Sequence, residues 1–249
     1  MAIMLKTMGE IEKMRHAGVI LRRVHDAIAP LVVPGATTMD LEEAACMKIA
    51  QWGAIPAFKG YHGFPAALCT SVNSQVVHGI PSESVVLKQG DILSIDCGVI
   101  VDGYYADAAV TYPIGNVSDQ TTKLLAVTRE SLELAIKAAV PGGRLGDISA
   151  AVQEYCEAAG FGVVREFVGH GIGKAMHEDP QVPNYGPRGK GPRLRAGMVL
   201  AIEPMINAGG PEVKVLKDGW TAVTVDGSYS AHFEHTVAIT KDGPYVLTR

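Results

Sequence analysis

GDILSIDCGVIVDGYYADAAV, residues 90–110, sets Asp102-Gly103 between two runs of β-branched, aromatic and small apolar residues. Asp-Gly in that setting favours a two-residue type I′ turn, which predicts a hairpin pairing Val101 with Tyr104 and Gly98 with Asp107. Asp96 lies two residues before Gly98, so strand alternation turns it to the face that carries Asp107. The two carboxylates then stand diagonally across the ladder with Cβ atoms about 7 Å apart. Like charges held so close are costly unless a cation or a proton relieves them, and a metal ion can bridge that span.

A second copy of the pattern follows 107 positions on. Gly90-Asp-Ile-Leu-Ser-Ile-Asp96 matches Gly197-Met-Val-Leu-Ala-Ile-Glu203, and Val33-Pro34-Gly35 with Asp40, Ala44 and Gly53 matches Val140-Pro141-Gly142 with Asp147, Ala151 and Gly160. One shift fits both a helix and a carboxylate-bearing strand, which argues for an internal repeat. After Glu203 the segment HFEHTVAI carries Glu234, read as following Glu203 in the way Asp107 follows Asp96, with a longer connection. His-Gly-Ile also occurs twice, at His78 and at His170, off that shift. The expectation is an α/β (α+β) chain, one catalytic domain over residues 1–249. Its two pseudo-symmetric halves, near 12–115 and 120–245, each offer a carboxylate pair and a histidine to a shared centre.

Composition narrows the function classes. A chain of 249 residues, 47% hydrophobic, can bury a full core. A net charge of −4 gives no electrostatic case for specific nucleic-acid or membrane binding. MAIMLKTMGEIEK is too polar for a secretory leader, and no apolar run reaches transmembrane length. Cys46, Cys69, Cys97 and Cys156 lack C-x-x-C spacing and read as free thiols in a reducing compartment. A cytoplasmic enzyme is expected.

Helical periodicity runs from Ile11 to Leu31, ended by Pro30 and Pro34, and from Thr38 to Gln51, entered through Thr37, Thr38 and Asp40 and closed by Gly53. Leu124 to Ala139 and Asp147 to Ala159 read as the corresponding helices of the second half. Residues 60–81 read as loop mixed with short strand, and strands dominate from Met198 onward.

Asp96 or Asp107 alone would be an ordinary turn or surface carboxylate. Together in apolar strands, and repeated as Glu203 and Glu234, they point to a metal. Glu203 sits in VLAIEPM, where apolar neighbours predict burial, and a buried carboxylate needs a partner or an ion. His170 lies between Gly169 and Gly171, with His177 seven residues later. Four carboxylates and an imidazole suit a pair of divalent ions such as Mn, Fe or Co better than a thiolate zinc site. The zincin signature H-E-x-x-H is missing from the sequence.

The stretches GYHGFP, VVHGIP, IDCGVIVDGYYAD, EFVGHGIGKAMHEDPQV, IEPMINAG, DGWTAVT and FEHT occur in this order over nearly the whole chain. In them the chain resembles the type I methionine aminopeptidases, metallopeptidases of the pita-bread fold that also includes prolidase, aminopeptidase P and creatinase. The resemblance implies a fold of two halves around a central antiparallel sheet flanked by helices. It also implies two divalent ions (Mn, Fe, Co or Zn), with Asp96, Asp107, His170, Glu203 and Glu234 as ligands. Asp107 and Glu234 would bridge the ions, His170 and Glu203 would complete the first, and Asp96 would chelate the second. Glu203 would also act as the base, His177 would hydrogen-bond the scissile carbonyl, and His78 would contact the scissile amide nitrogen. The substrate implied is the N-terminal methionine of nascent polypeptides, preferentially before a small second residue, cleaved by a monomer.

The same resemblance lines the side-chain pocket with Phe58, Tyr61, His62, Phe64, Cys69, Met176 and Trp220, an aromatic and sulfur-rich wall suited to a thioether. Many bacterial relatives carry a smaller residue at Phe58 and phenylalanine at Met176. The basic loop GPRGKGPRLRAG, residues 186–197, reads plainly as a solvated loop. Its functional reading is a transient ribosome contact through ribosomal RNA.

Overall fold

A computed structural model describes residues 3–249. Among the described residues there are four α-helices, α1 (Met8–Ile28), α2 (Thr38–Gln51), α3 (Asp119–Ala138) and α4 (Leu145–Ala158). The first begins a turn earlier than the apolar stripe suggested, because Thr7 and Glu10 form a reciprocal capping box. Its 3-10 extension, Ala29–Leu31, carries the chain to Pro34. Similarly, α3 begins five residues before Leu124, where the Ser118 hydroxyl accepts from Thr121 N. The α4 helix starts at Leu145, so Asp147 is its third residue and caps the Arg144 amide.

The hairpin forms in the expected register. Strands β4 (Ile92–Val101) and β5 (Tyr104–Pro113) pair Val101 with Tyr104 and Gly98 with Asp107. Asp102 and Gly103 both have positive φ, +50° and +77°, as a type I′ turn requires. The opposite edge of β4 takes β1 (Ile55–Pro56) and β2 (Leu68–Val72), completing a four-stranded antiparallel sheet. In the second half β9 (Val199–Ile202) lies between β7 (Gly169–Gly171) and β14 (His235–Thr240), with β8 (Glu178–Val182) and β15 (Gly243–Val246) at the edges. Two three-stranded antiparallel sheets complete the fold. One orders β13 (Ser230–His232), β10 (Met205–Asn207) and β6 (Gly162–Val163); the other orders β11 (Val213–Val215), β12 (Ala222–Thr224) and β3 (Gln75–Val77).

The 107-residue repeat extends to individual hydrogen bonds. Gly35 N donates to Leu87 O and Gly142 N to Leu194 O; Thr38 N donates to Val85 O and Leu145 N to Pro192 O; Ala54 N donates to Ile49 O and Phe161 N to Cys156 O. Each half has its own core. One gathers Leu21, Val24, Leu41, Ile49, Leu93 and Ile95 beneath the first hairpin. The other gathers Leu124, Ile136, Ile148, Val152, Leu200 and Ile202 beneath β9.

Two details of the expected repeat are corrected by the register. Gly98 faces Asp107, and its counterpart Met205 faces His232, not Glu234. Beyond the hairpin turn the second half is therefore offset by 125 residues rather than 127, which puts His232 in the place of Asp107 and Glu234 in the place of Ala109. The halves meet there: Glu234 N donates to Ala109 O. Thr236 Oγ1 accepts from Asp107 N at 3.0 Å and donates to Asp107 O at 2.8 Å, while Thr111 Oγ1 accepts from His232 N at 2.9 Å and donates to His232 O at 2.7 Å. The second correction concerns the two His-Gly-Ile triplets. His170 faces Ala201 on β9, the position Ser71 takes against Ser94 on β4, whereas His78 lies past the end of β3.

Candidate active site

Asp107 and Asp96 come from the first hairpin, Glu203 from the end of β9, Glu234 from the break between β13 and β14, and His170 from β7. All five line one cavity of about 240 Å³ where the halves meet. Glycines on both sides of His170 allow that placement. A Cβ on Gly169 would stand 2.3 Å from Ala201 O on β9, and one on Gly171 2.3 Å from Asp179 O on β8, so a larger residue at either place would push the histidine strand away from its neighbour.

His170 has a defined tautomer. Its Nδ1 lies 2.9 Å from Gly171 O, and a carbonyl can only accept, so Nδ1 carries the proton. That leaves the Nε2 lone pair facing Glu203 Oε1 at 3.6 Å and Asp107 Oδ2 at 4.0 Å. A backbone carbonyl behind a ligating imidazole is the usual second support of a metal-bound histidine. Ligand atoms of Asp107, His170 and Glu234 all lie within 4.8 Å of one another.

The fit of a cation is shown by what these groups lack. Asp96 Oδ1, Asp107 Oδ1 and Glu234 Oε1 are shut from water without a hydrogen-bond partner. Burial, the largest cause, raises Asp96 to about 7 and Glu203 to about 8, and drives Asp107 and Glu234 well above the usual carboxylate range. Neighbouring carboxylates reinforce the rise at Asp96, Asp107 and Glu234. Divalent cations supply what such a cluster lacks, and oxygen donors with one imidazole suit Mn, Fe, Co or Zn.

The His177 ring lies tilted by 54° against that of His170, with centroids 4.2 Å apart, and its Nδ1 lies 2.8 Å from the Tyr61 hydroxyl. Burial lowers its pKa, so the ring is held toward the neutral form. Tyr61, expected only as pocket wall, thus also orients His177. His78 is half-buried, with its pKa lowered to about 4 chiefly by desolvation. Its backbone takes φ +62°, a strained setting for a residue with a Cβ and one that clusters at functional sites. Phe167 and Trp220 stand edge-on to its ring at 5.4 and 6.4 Å.

Phe58, Tyr61, His62, Phe64, Cys69, Met176 and Trp220 all line the same cavity, and Phe58, Phe64, Cys69 and Met176 form one buried apolar cluster. The wall also includes Val77, Phe167, Val168 and Met205, which sequence reasoning missed because isolated apolar residues look like core. The loop carrying Met176 and His177 is tied down by Glu178, whose carboxylate accepts from the Lys174 and Ala175 amides and pairs with Lys6.

Two facing halves, a sealed acid cluster and an adjoining apolar pocket define a metal-dependent peptidase of the pita-bread type. A model of metallopeptidase family M24 matches residues 12–241. Methionine aminopeptidase 1 of Bacillus subtilis is 55% identical over 247 residues, 99% of each chain. The crystal structure of a methionine aminopeptidase from Thermotoga maritima superposes with a TM-score of 0.98 at 50% identity, over 100% of both chains. Prolidase from Pyrococcus furiosus shares the fold alone, with a TM-score of 0.78 at 24% identity over 98% of this chain and 65% of that one. The chain belongs to metallopeptidase family M24, within its methionine aminopeptidases.

Proposed function

We propose that the protein removes the initiator methionine from the N-termini of nascent proteins and peptides, preferentially before a small second residue. Residues 1–249 would act as one catalytic unit, with halves near 12–115 and 120–245 closing on two divalent ions (Mn, Fe, Co or Zn) held by Asp96, Asp107, His170, Glu203 and Glu234. The observation that carries this reading is the adjacency, in one cavity, of the unpartnered carboxylates and a wall of aromatic rings with the sulfur atoms of Cys69 and Met176. Dispersion and sulfur–aromatic contact favour an unbranched thioether there.

Ions at this site supply Lewis acidity to the scissile carbonyl and make water acidic enough to lose a proton near neutral pH. Glu203, raised toward neutrality by burial, accepts that proton and returns it to the departing amine. A Tyr61 hydroxyl that donates to His177 Nδ1, 2.8 Å away, would leave the ring proton on Nε2, the tautomer that donates to a developing oxyanion. His78, fixed by its strained backbone and its two aromatic neighbours, orients the scissile amide nitrogen. Phe167 and Trp220, the rings beside His78, would be the groups that limit the size of the second residue. The substrate's amino terminus would bind near Asp96 and the ion it holds, which restricts cleavage to chain ends.

No helix among the described residues is long and apolar enough to cross a membrane. A cytoplasmic monomer at the site of protein synthesis accords with the substrate, and a transient ribosome contact would use the 186–197 loop. Within that loop Arg188 is paired bidentately with Glu154, which leaves Lys190, Arg193 and Arg195 as its exposed cations. Hydrolysis of Met-Ala-Ser, Met-Phe-Ser and Xaa-Pro peptides with each of the four metals tests the function. Metal-dependent release of methionine, fastest from Met-Ala-Ser, is expected; preferential cleavage of Xaa-Pro peptides would overturn it.

A further inference from the structure

His232 has no role in the chemistry above and does not line the cavity, yet it is the register counterpart of Asp107. Its side chain is buried, and Nε2 is shut from water with no hydrogen-bond partner. That nitrogen faces Glu203 Oε2 at 3.6 Å, while the other oxygen, Oε1, faces His170 Nε2 at the same distance. The Glu203 carboxylate is thus flanked by one imidazole at each oxygen, His170 on the cavity side and His232 from behind.

The two imidazoles are not equivalent. His170 Nε2 offers a lone pair, because its proton is fixed on Nδ1 by Gly171 O. At His232, Nε2 faces a carboxylate oxygen of Glu203, which can only accept when ionised, and the Asp96 carboxylate also lies near the ring, so the favourable tautomer carries the proton on Nε2. The position of the ring is not free to drift. Its backbone N–H and C=O are both held by the Thr111 hydroxyl, as those of Asp107 are held by Thr236. A rigidly mounted donor behind a carboxylate is how outer groups fix the orientation of a metal ligand.

We infer that His232 is a positioning residue: its Nε2, 3.6 Å from Glu203 Oε2 and otherwise unpartnered, is the donor that takes up that oxygen when Glu203 holds an ion, leaving Oε1 to the ion and to the migrating proton. The inference rests on Glu203 serving as ligand and base. In the first half a carboxylate occupies this register position and takes part in the cluster; in the second, an imidazole occupies it and braces the cluster from outside.

The test uses the full chain, first stripped of metal and then titrated with Mn²⁺ by calorimetry, with His232→Gln and His232→Leu beside wild type. Glutamine keeps an N–H donor at similar reach, whereas leucine keeps bulk and loses the donor. His232→Leu should weaken Mn²⁺ binding or lower kcat by about 10- to 100-fold, the usual cost of removing such a support, with His232→Gln recovering most of the loss. The absorption spectrum of the Co²⁺-loaded protein should be the same for His232→Gln as for wild type, since the imidazole is not itself a ligand. Equal metal affinity and kcat in a folded His232→Leu protein would overturn the inference, as would equal impairment of the Gln and Leu variants. A changed Co²⁺ spectrum in His232→Gln would overturn it in favour of direct ligation. Failure of wild type to bind Mn²⁺ at all would instead refute the metal-site reading on which it rests.

Discussion

Gly98→Ala tests whether the hairpin that carries the acid cluster is also the floor of the methionine pocket. A Cβ on Gly98 would stand 2.8 Å from Phe58 Cε1, 3.0 Å from Ala57 Cβ and 3.3 Å from Met176 Cε. Carbon atoms rest at about 3.5–4.0 Å, so the Phe58 ring must retreat by roughly 0.7–1.2 Å. The Met176 thioether can swing aside, but Phe58 is 8% exposed and packed on the hairpin, so its free direction is into the cavity. Overpacking of this kind costs about 1–3 kcal/mol. Loss of about one methylene of pocket space corresponds to roughly 10- to 200-fold in kcat/KM for a methionine peptide. Because Gly98 donates nothing to the metal cluster, Mn²⁺ affinity should hold. The assay is kcat/KM on Met-Ala-Ser with calorimetric Mn²⁺ titration of the same samples, and Phe58→Leu added to Gly98→Ala should restore part of the loss by making room. Unchanged kcat/KM in Gly98→Ala, or a loss that Phe58→Leu does not relieve, would refute the placement of Phe58 between hairpin and substrate.

Tyr61→Phe removes the hydroxyl from His177 Nδ1 and frees the ring tautomer, so kcat should fall by less than the roughly 10²- to 10³-fold expected of His177→Ala, with Mn²⁺ affinity unchanged in both. Lys6→Met breaks the enclosed pair with Glu178 and should cost about 3–5 kcal/mol, the usual penalty for orphaning a buried charge; thermal unfolding should show Lys6→Met/Glu178→Gln to be more stable than Lys6→Met alone. Chelated protein should lose stability as pH rises from 4.5 through 8. Asp96 and Glu203 bind protons more tightly folded, at about 7 and about 8, than unfolded, so their stabilising contribution is complete below the unfolded values and disappears as they ionise. The rise in unfolding midpoint on adding Mn²⁺ should therefore be larger at pH 8 than at pH 6, and an equal or smaller rise at pH 8 would contradict the assignment of these carboxylates.

The hairpin was legible because Asp102-Gly103 dictates its own turn and thereby the register of Asp96 and Asp107. The second half was legible up to Glu203, where one shift holds for helix and strand alike. It was not legible beyond, since HFEHT presents His232 and Glu234 two residues apart, and only ladder pairing decides which of them faces Met205. His-Gly-Ile, already off the 107-residue shift, repeats in sequence without repeating in register: His170 takes the place of Ser71, yet His78 and His170 both line the cavity. Thr7 with Glu10 was a readable capping box that apolar periodicity alone passed over. Contacts such as Tyr61 to His177 and Lys6 to Glu178 join residues more than a hundred positions apart, and no local pattern announces them.

The central claim is that the carboxylates on the two halves exist to hold metal between them. Its most direct test is calorimetric titration of chelated wild type and Asp107→Ala with Mn²⁺ and Co²⁺ under anaerobic conditions, with Met-Ala-Ser hydrolysis followed on the same samples. Wild type should bind up to two ions and gain activity with occupancy, while Asp107→Ala should lose both affinity and activity because the carboxylate proposed to be shared between the ions is gone. Equal metal affinity in the two proteins would contradict the account.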